Sequence, residues 1–171
     1  MTKRCVGVVV TLAIWISTGS AQSKPPAVAT TPGQTALSAD PIIGTWELNL
    51  AKSTFAAGRA PRNEIRTYVV DGNDIKASAK GVDAAGKPIA TSWTINYDGK
   101  DRPASGVTDL DSISFKRIDA RHYEFVQKKA GKVVSSGTRI FSADGKVMTL
   151  TLTSANAQGK TTEEIAVYDK R

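Results

Sequence analysis

The residues best placed to do chemistry in this chain are His122 and Glu124, two apart in "RHYEF". In an extended strand, side chains two apart share a face, so an imidazole and a carboxylate stand side by side, as a general acid and base would. Tyr123 and Phe125 occupy the opposite face, which sends His122 and Glu124 toward water, and no third group converges on them. His122 is the single histidine, which excludes a metal site built from histidines. Asp98, Asp101, Asp109 and Asp111 do not follow calcium-loop spacing and read as turn formers. "GVDAAGKP", residues 81–88, satisfies the first seven positions of a phosphate-binding loop. Pro88, however, replaces the hydroxyl residue that would hold magnesium, and an extended run follows where a helix is required. There is no Gly-x-Ser-x-Gly elbow for a serine nucleophile. These observations point away from an enzyme and imply no catalytic residue, no metal and no cofactor.

A second group of residues points to binding. Trp46, Leu48, Ala77, Ala79, Trp93, Phe115, Phe125, Ser136, Thr138 and Leu150, in company with Ile165, are expected on the inward side of alternating runs. Small side chains beside large ones leave room, so this set is the expected lining of a ligand cavity. The competing expectation is a closed, fully packed interior in which the small residues fit the taper.

The elements that must position these residues are strands. Trp46, Leu48 and Leu50 alternate with Thr45, Glu47 and Asn49. Ile89, Thr91, Trp93, Ile95 and Tyr97 alternate with Ala90, Ser92, Thr94 and Asn96, and Met148, Leu150 and Leu152 alternate with Thr149, Thr151 and Thr153. Period-two patterning marks half-buried antiparallel strands. Ten are expected, near 44–50, 63–70, 74–82, 88–97, 101–104, 112–118, 122–129, 132–142, 146–154 and 160–169. Tight turns punctuate them at Asp71-Gly72, Gly86-Lys87, Gly99-Lys100, Asp119-Ala120, Gly131-Lys132, Gly145-Lys146 and Gly159-Lys160. Glycine supplies the positive φ such turns need and aspartate bonds the turn backbone. Residues 51–62 are too long for a tight hairpin and, with Phe55 as their one large apolar residue, are expected to form a lid over one mouth.

An open meander of this length exposes two edges, and closure removes them. The expected fold is therefore an all-β, antiparallel up-and-down β-barrel of about ten strands, with a β-sandwich as the alternative. A barrel of that strand number is wide enough to need filling or to hold a small ligand.

The ends of the chain carry different signals. Lys3 and Arg4, the apolar run Val6–Ile16 and the small residues Gly19 and Ala21 read as a signal peptide over 1–21. Residues 22–40, rich in Pro, Ala, Thr and Ser, read as a disordered linker, and 41–171 as the folded domain. Periplasmic or secreted localisation follows. The one cysteine, Cys5, falls in the leader, so the folded part must be held by its own core, without disulfides. Loss of Lys3 and Arg4 lowers the formal charge of +7 by two. The remaining cations are scattered, which argues against a nucleic-acid partner and leaves a weak attraction to anionic envelope surfaces. The apolar run is too short to span a bilayer.

"GTWELNLAKSTF" opens the first strand, and its Gly-x-Trp resembles the lipocalin and fatty-acid-binding-protein superfamily. The resemblance implies that Gly44 and Trp46 plug one end of a barrel and that a late-strand arginine, Arg139 in this chain, packs across the indole. The chain is also similar to small secreted bacterial lipocalin-like proteins through "VDAAGKP", "NYDGKD", "FKRIDARHYE", "SADGKVMTLT" and "AVYDK", departing at Arg102, where a tyrosine is expected. The function so implied is non-catalytic binding of a small apolar or amphipathic molecule. The alternative is an envelope structural or interaction protein with a closed barrel and a cationic surface.

Overall fold

The computed structural model describes residues 37–155 and 161–171. The proposed leader, most of the proposed linker and the Gly159-Lys160 turn lie outside the described residues. Ten strands follow one another: β1 (Gly44–Leu48), β2 (Asn63–Asp71), β3 (Asp74–Val82), β4 (Pro88–Ile95), β5 (Arg102–Ser105), β6 (Ser112–Arg117), β7 (His122–Lys129), β8 (Lys132–Phe141), β9 (Val147–Ala155) and β10 (Thr161–Lys170). Each pairs antiparallel with its sequence neighbours, and β1 pairs with β10, so the sheet closes into an up-and-down barrel of ten strands. Closure runs through Trp46 opposite Lys170, Glu47 opposite Asp169 and Leu48 opposite Tyr168. The sandwich is thereby excluded, and no free strand edge remains along β1 and β10.

Local chemistry fixes the hairpins. Between β7 and β8, Ala130 and Gly131 both adopt positive φ, 49° and 75°, the two-residue arrangement that matches strand twist. The seam of β5 is thin. It pairs with β4 at Ser92–Ser105 and Trp93–Ala104, and with β6 at Arg102–Ile113 and Pro103–Ser112.

Cross-strand partners share a face, so one inward residue sets the parity of the barrel. From Trp46, register carries the interior to Arg66, Ala79 and Thr91 on the following strands, and through Tyr168 to Met148 and Phe141 on the other side. The core holds Trp46, Tyr68, Ile75, Ile95, Phe115, Tyr123, Phe125, Phe141, Met148 and Tyr168.

That register corrects several sequence expectations. Met148, Leu150 and Leu152 point inward and pair with Phe141, Arg139 and Gly137, so Ser136 and Thr138 face outward. The small inward residue of β8 is Gly137. A Cβ there would lie 2.0 Å from the Thr151 carbonyl oxygen and 2.6 Å from Phe125 Cζ, so only glycine admits the Phe125 ring. Ile165 also faces outward, where its backbone pairs with Thr54, while Glu164, Ala166 and Tyr168 point in. The expected linker ends earlier than Asp40. Leu37 packs against the core, and Asp40 is buried at 3% exposure.

Candidate ligand-binding site

One end of the barrel is stoppered. Trp46 is fully buried. Its indole N–H donates to the Ile42 carbonyl at 2.7 Å, and its ring meets Phe141 at 5.4 Å. Phe141 meets Tyr123 edge-on at 5.7 Å, and Tyr123 meets Tyr97 at 5.0 Å. Such offset and edge contacts add to the area the rings bury. Asp40 clamps this cluster: it accepts from the Ile42 N–H at 3.0 Å and from the Tyr123 hydroxyl at 3.2 Å, and the Arg117 guanidinium stands 3.6 Å away. Burial and the Asp40 carboxylate push the Tyr123 and Tyr97 hydroxyls well above the ordinary tyrosine range.

Gly44 and Trp46 occupy the expected plug, but the indole's cationic partner is Lys170, whose Nζ lies 5.1 Å from the ring centre. Gly44 makes the room. It sits at φ +127°, and a Cβ would meet Lys170 Cε at 3.1 Å. Arg139 instead lies deeper, over Tyr68 and Phe115 at 5.3 and 5.2 Å. It is only 2% exposed. The sequence expectation of an Arg139–Trp46 pair fails because residue 170, directly opposite Trp46 in the sheet, already holds that place.

The other end is hollow. A cavity of about 240 Å³ is lined by Phe55, Glu64, Arg66, Ile89, Leu150 and Tyr168 among others. A second of about 220 Å³ shares Glu64, Arg66 and Ile89 and adds Ala79, Trp93 and Ala104. A third of about 350 Å³ shares Val107, Leu110 and Gln127 with the second. Common walls make them adjoining chambers. Of the expected lining, Ala79, Trp93 and Leu150 border these chambers. Ala77 belongs to the core above Ile75, Leu48, Phe115 and Phe125 are packed, and Ser136 and Thr138 are outside.

The chambers carry polar groups that strand patterning did not reveal. Glu64, 8% exposed, is paired with Arg66 on its own strand and accepts from the Tyr168 hydroxyl at 2.8 Å. Burial raises the Glu64 pKa, but Arg66 and the Tyr168 hydroxyl outweigh it, and the carboxyl lies below its ordinary value. Burial likewise pushes the Tyr168 hydroxyl well up. Arg66 stacks on Tyr168 at 4.8 Å and on Trp93 at 5.7 Å. Trp93, in the wall of the second chamber, has an indole Nε1 with no hydrogen-bond partner among the described residues, whereas buried donors are almost always satisfied. The signal for Glu64 and Arg66 was present as two charges two apart in "NEIRTY". Their inward parity was set only by pairing with β1 and β3.

The segment expected to form a lid begins as a continuation of the wall and then borders the mouth chamber through Phe55, Arg59 and Pro61. After a short 3-10 turn, Leu50–Lys52, the chain rejoins β10 through reciprocal Thr54–Ile165 backbone bonds of 2.7 and 2.8 Å. Phe55 then packs against the core at the mouth, and Arg59 pairs with Glu164 at 2.7 Å.

His122 and Glu124 lie outside the barrel, opposite Ile140 and Thr138 on β8, with Lys116 of β6 across from Glu124 on the other side. Among the described residues no group of three or more His, Cys, Asp or Glu is placed to hold a metal ion, and no helix is long and apolar enough to cross a membrane.

The sequence matches no protein-family model and no curated protein. Solved structures resemble it in fold. Rv2717c from M. tuberculosis aligns with a TM-score of 0.53 at 14% identity, covering 84% of this chain and 99% of that one. A zebrafish ileal bile acid-binding protein complexed with cholic acid gives 0.48 at 13% identity, covering 77% and 99%. Lobster apocrustacyanin A1 gives 0.44 at 9%, covering 81% and 65%. The fold shared with Rv2717c is the closed antiparallel barrel described above.

Proposed function

We propose that this chain is an exported, non-catalytic binding barrel that takes a small apolar or amphipathic molecule into the chambers behind Phe55. The observation that carries the reading is the adjoining hollow space at one end, walled by Ile89, Trp93, Ala104 and Leu150 and supplied with buried polar groups. A small set of oriented polar groups in an apolar hollow is the usual composition of a small-molecule site. Empty apolar space costs stability, about 24 cal/mol per Å³ in cavity-forming core variants, and a ligand that fills it offsets that cost.

Titration of the purified, delipidated protein with an environment-sensitive apolar dye tests the reading, with tryptophan emission as a second signal. Saturable binding that changes the emission of Trp93, and loses that component in Trp93→Phe, is expected. No saturable signal from dye or indole would overturn it. Export rests on the sequence of residues 1–21 and is tested by fractionating cells that express the whole chain, where retention in the cytoplasm with an intact N-terminus would sink it.

A further inference from the structure

We infer that the ligand of the mouth chamber carries a positive head group, an ammonium or guanidinium, which takes the place of Arg59 on Glu164. This rests on the binding reading and narrows it to a chemical class.

The two buried glutamates of the chamber are held differently. Glu64 is paired from within the barrel wall, by Arg66 of its own strand and by the hydroxyl of Tyr168. Glu164 is as deeply buried, at 7% exposure, but its partners both come from the segment that crosses the mouth. They are Arg59 Nε at 2.7 Å and the Ala56 N–H at 3.3 Å. The Arg59 side chain is 60% exposed. A buried carboxylate cannot be left unpaired cheaply, so Glu164 requires a cation. The fold supplies it through a side chain that is itself mostly in solvent, so a cation bound inside the chamber can take its place.

The charge of the lining sets the class of ligand. With Arg59 turned to solvent, the chamber's wall holds the carboxylates of Glu64, Asp83 and Glu164 against the single guanidinium of Arg66, which is already committed to Glu64. An anionic head would meet this excess of like charge. An ammonium would give Glu164 a charge-assisted bond, and its chain would lie against Phe55, Ile89, Leu150 and Leu152. Arg139 does not border this chamber. It lies under Tyr68 and Phe115.

Binding of octylammonium, octanoate and octanol to the whole protein at neutral pH, by displacement of an apolar dye, separates the possibilities. A charge-assisted bond worth about 1.5–3 kcal/mol predicts that octylammonium binds roughly tenfold or more tighter than octanol, with octanoate weakest. Glu164→Gln should remove that preference while keeping octanol binding, and Arg59→Ala should tighten octylammonium by freeing its counter-ion. Tighter binding of octanoate, or an ammonium preference that survives in Glu164→Gln, overturns the charge assignment and leaves the binding reading standing. An unchanged or weaker octylammonium affinity in Arg59→Ala also overturns it, and does not depend on how Glu164→Gln folds. Failure of all three compounds to bind sinks both readings together.

Discussion

The two ends of the barrel use the same kinds of residue for opposite results. At the Trp46 end, aromatic rings from β1, β7 and β8 meet at 5.4 to 5.7 Å, and the buried acid Asp40 bonds the backbone of Ile42 and the hydroxyl of Tyr123. Every large ring there has a neighbour, and Lys170 covers the indole. At the Phe55 end, Trp93 and Tyr168 meet a guanidinium, Arg66, and the space beside them is hollow. The difference teaches that burying aromatic rings closes a barrel only where rings fill one another's gaps. Where a buried ion pair takes their place, the polar groups hold the walls in position and leave volume between them.

The largest effect should come from Trp46→Ala. Removing a fully buried indole is expected to cost about 3–5 kcal/mol, read as a fall in the denaturation midpoint, whereas Trp93→Ala at the hollow end should cost clearly less. Equal losses would break the distinction between the ends.

Gly137→Val comes next. The added Cβ collides with the Thr151 carbonyl and the Phe125 ring, and overpacking of this kind costs about 1–3 kcal/mol. Outward-facing Ser136→Val, next to it, should be close to neutral by the same measurement. At the stoppered end, Asp40→Ala leaves the Tyr123 hydroxyl and the Ile42 N–H without their acceptor and should lose about 1–3 kcal/mol.

Smaller effects follow from pH, with opposite signs at the two ends. Tyr97 and Tyr123 have pKa values raised by burial and by Asp40, so their contribution is whole below the ordinary value of 10.0 and is lost as pH rises above it. The pKa of Glu64 is lowered, since Arg66 and Tyr168 outweigh burial. Its contribution is therefore whole above the ordinary 4.5 and is lost as pH falls below it. Glu64→Gln should flatten the acid limb of stability against pH. Arg59→Ala leaves the buried Glu164 carboxylate without its cation and should cost the unliganded protein about 1 kcal/mol or more.

Much of the wall was legible in the chain. Alternation in "IATSWTINY" and "VMTLTLTS" and the glycine turns mark the strands, because a residue's side and a turn's φ are local properties. The Gly44-x-Trp46 plug was legible only through the resemblance its motif carries, since alternation puts Trp46 inward without saying that it closes one end. The candidate site was less legible. Ala79, Trp93 and Leu150 were placed on it from patterning, but Glu64, Arg66 and Glu164 were not, because charged residues in a strand ordinarily face water.

β8 shows where local reading stops. Its run "VVSSGTRIF" has Val134 and Ile140 on one side and Val133, Arg139 and Phe141 on the other, so hydrophobicity alone does not decide which side is in. The pairing of Arg139 with inward Tyr123 on β7 and with inward Leu150 on β9 decides it, putting Arg139 inside and Ser136 and Thr138 out. What the amino-acid order determined by itself was the succession of strands and turns, since those depend on neighbours along the chain. Closure of β1 on β10, the parity of each strand and the division into a filled and a hollow end were decided only in three dimensions, because they depend on which residues lie opposite one another across the sheet.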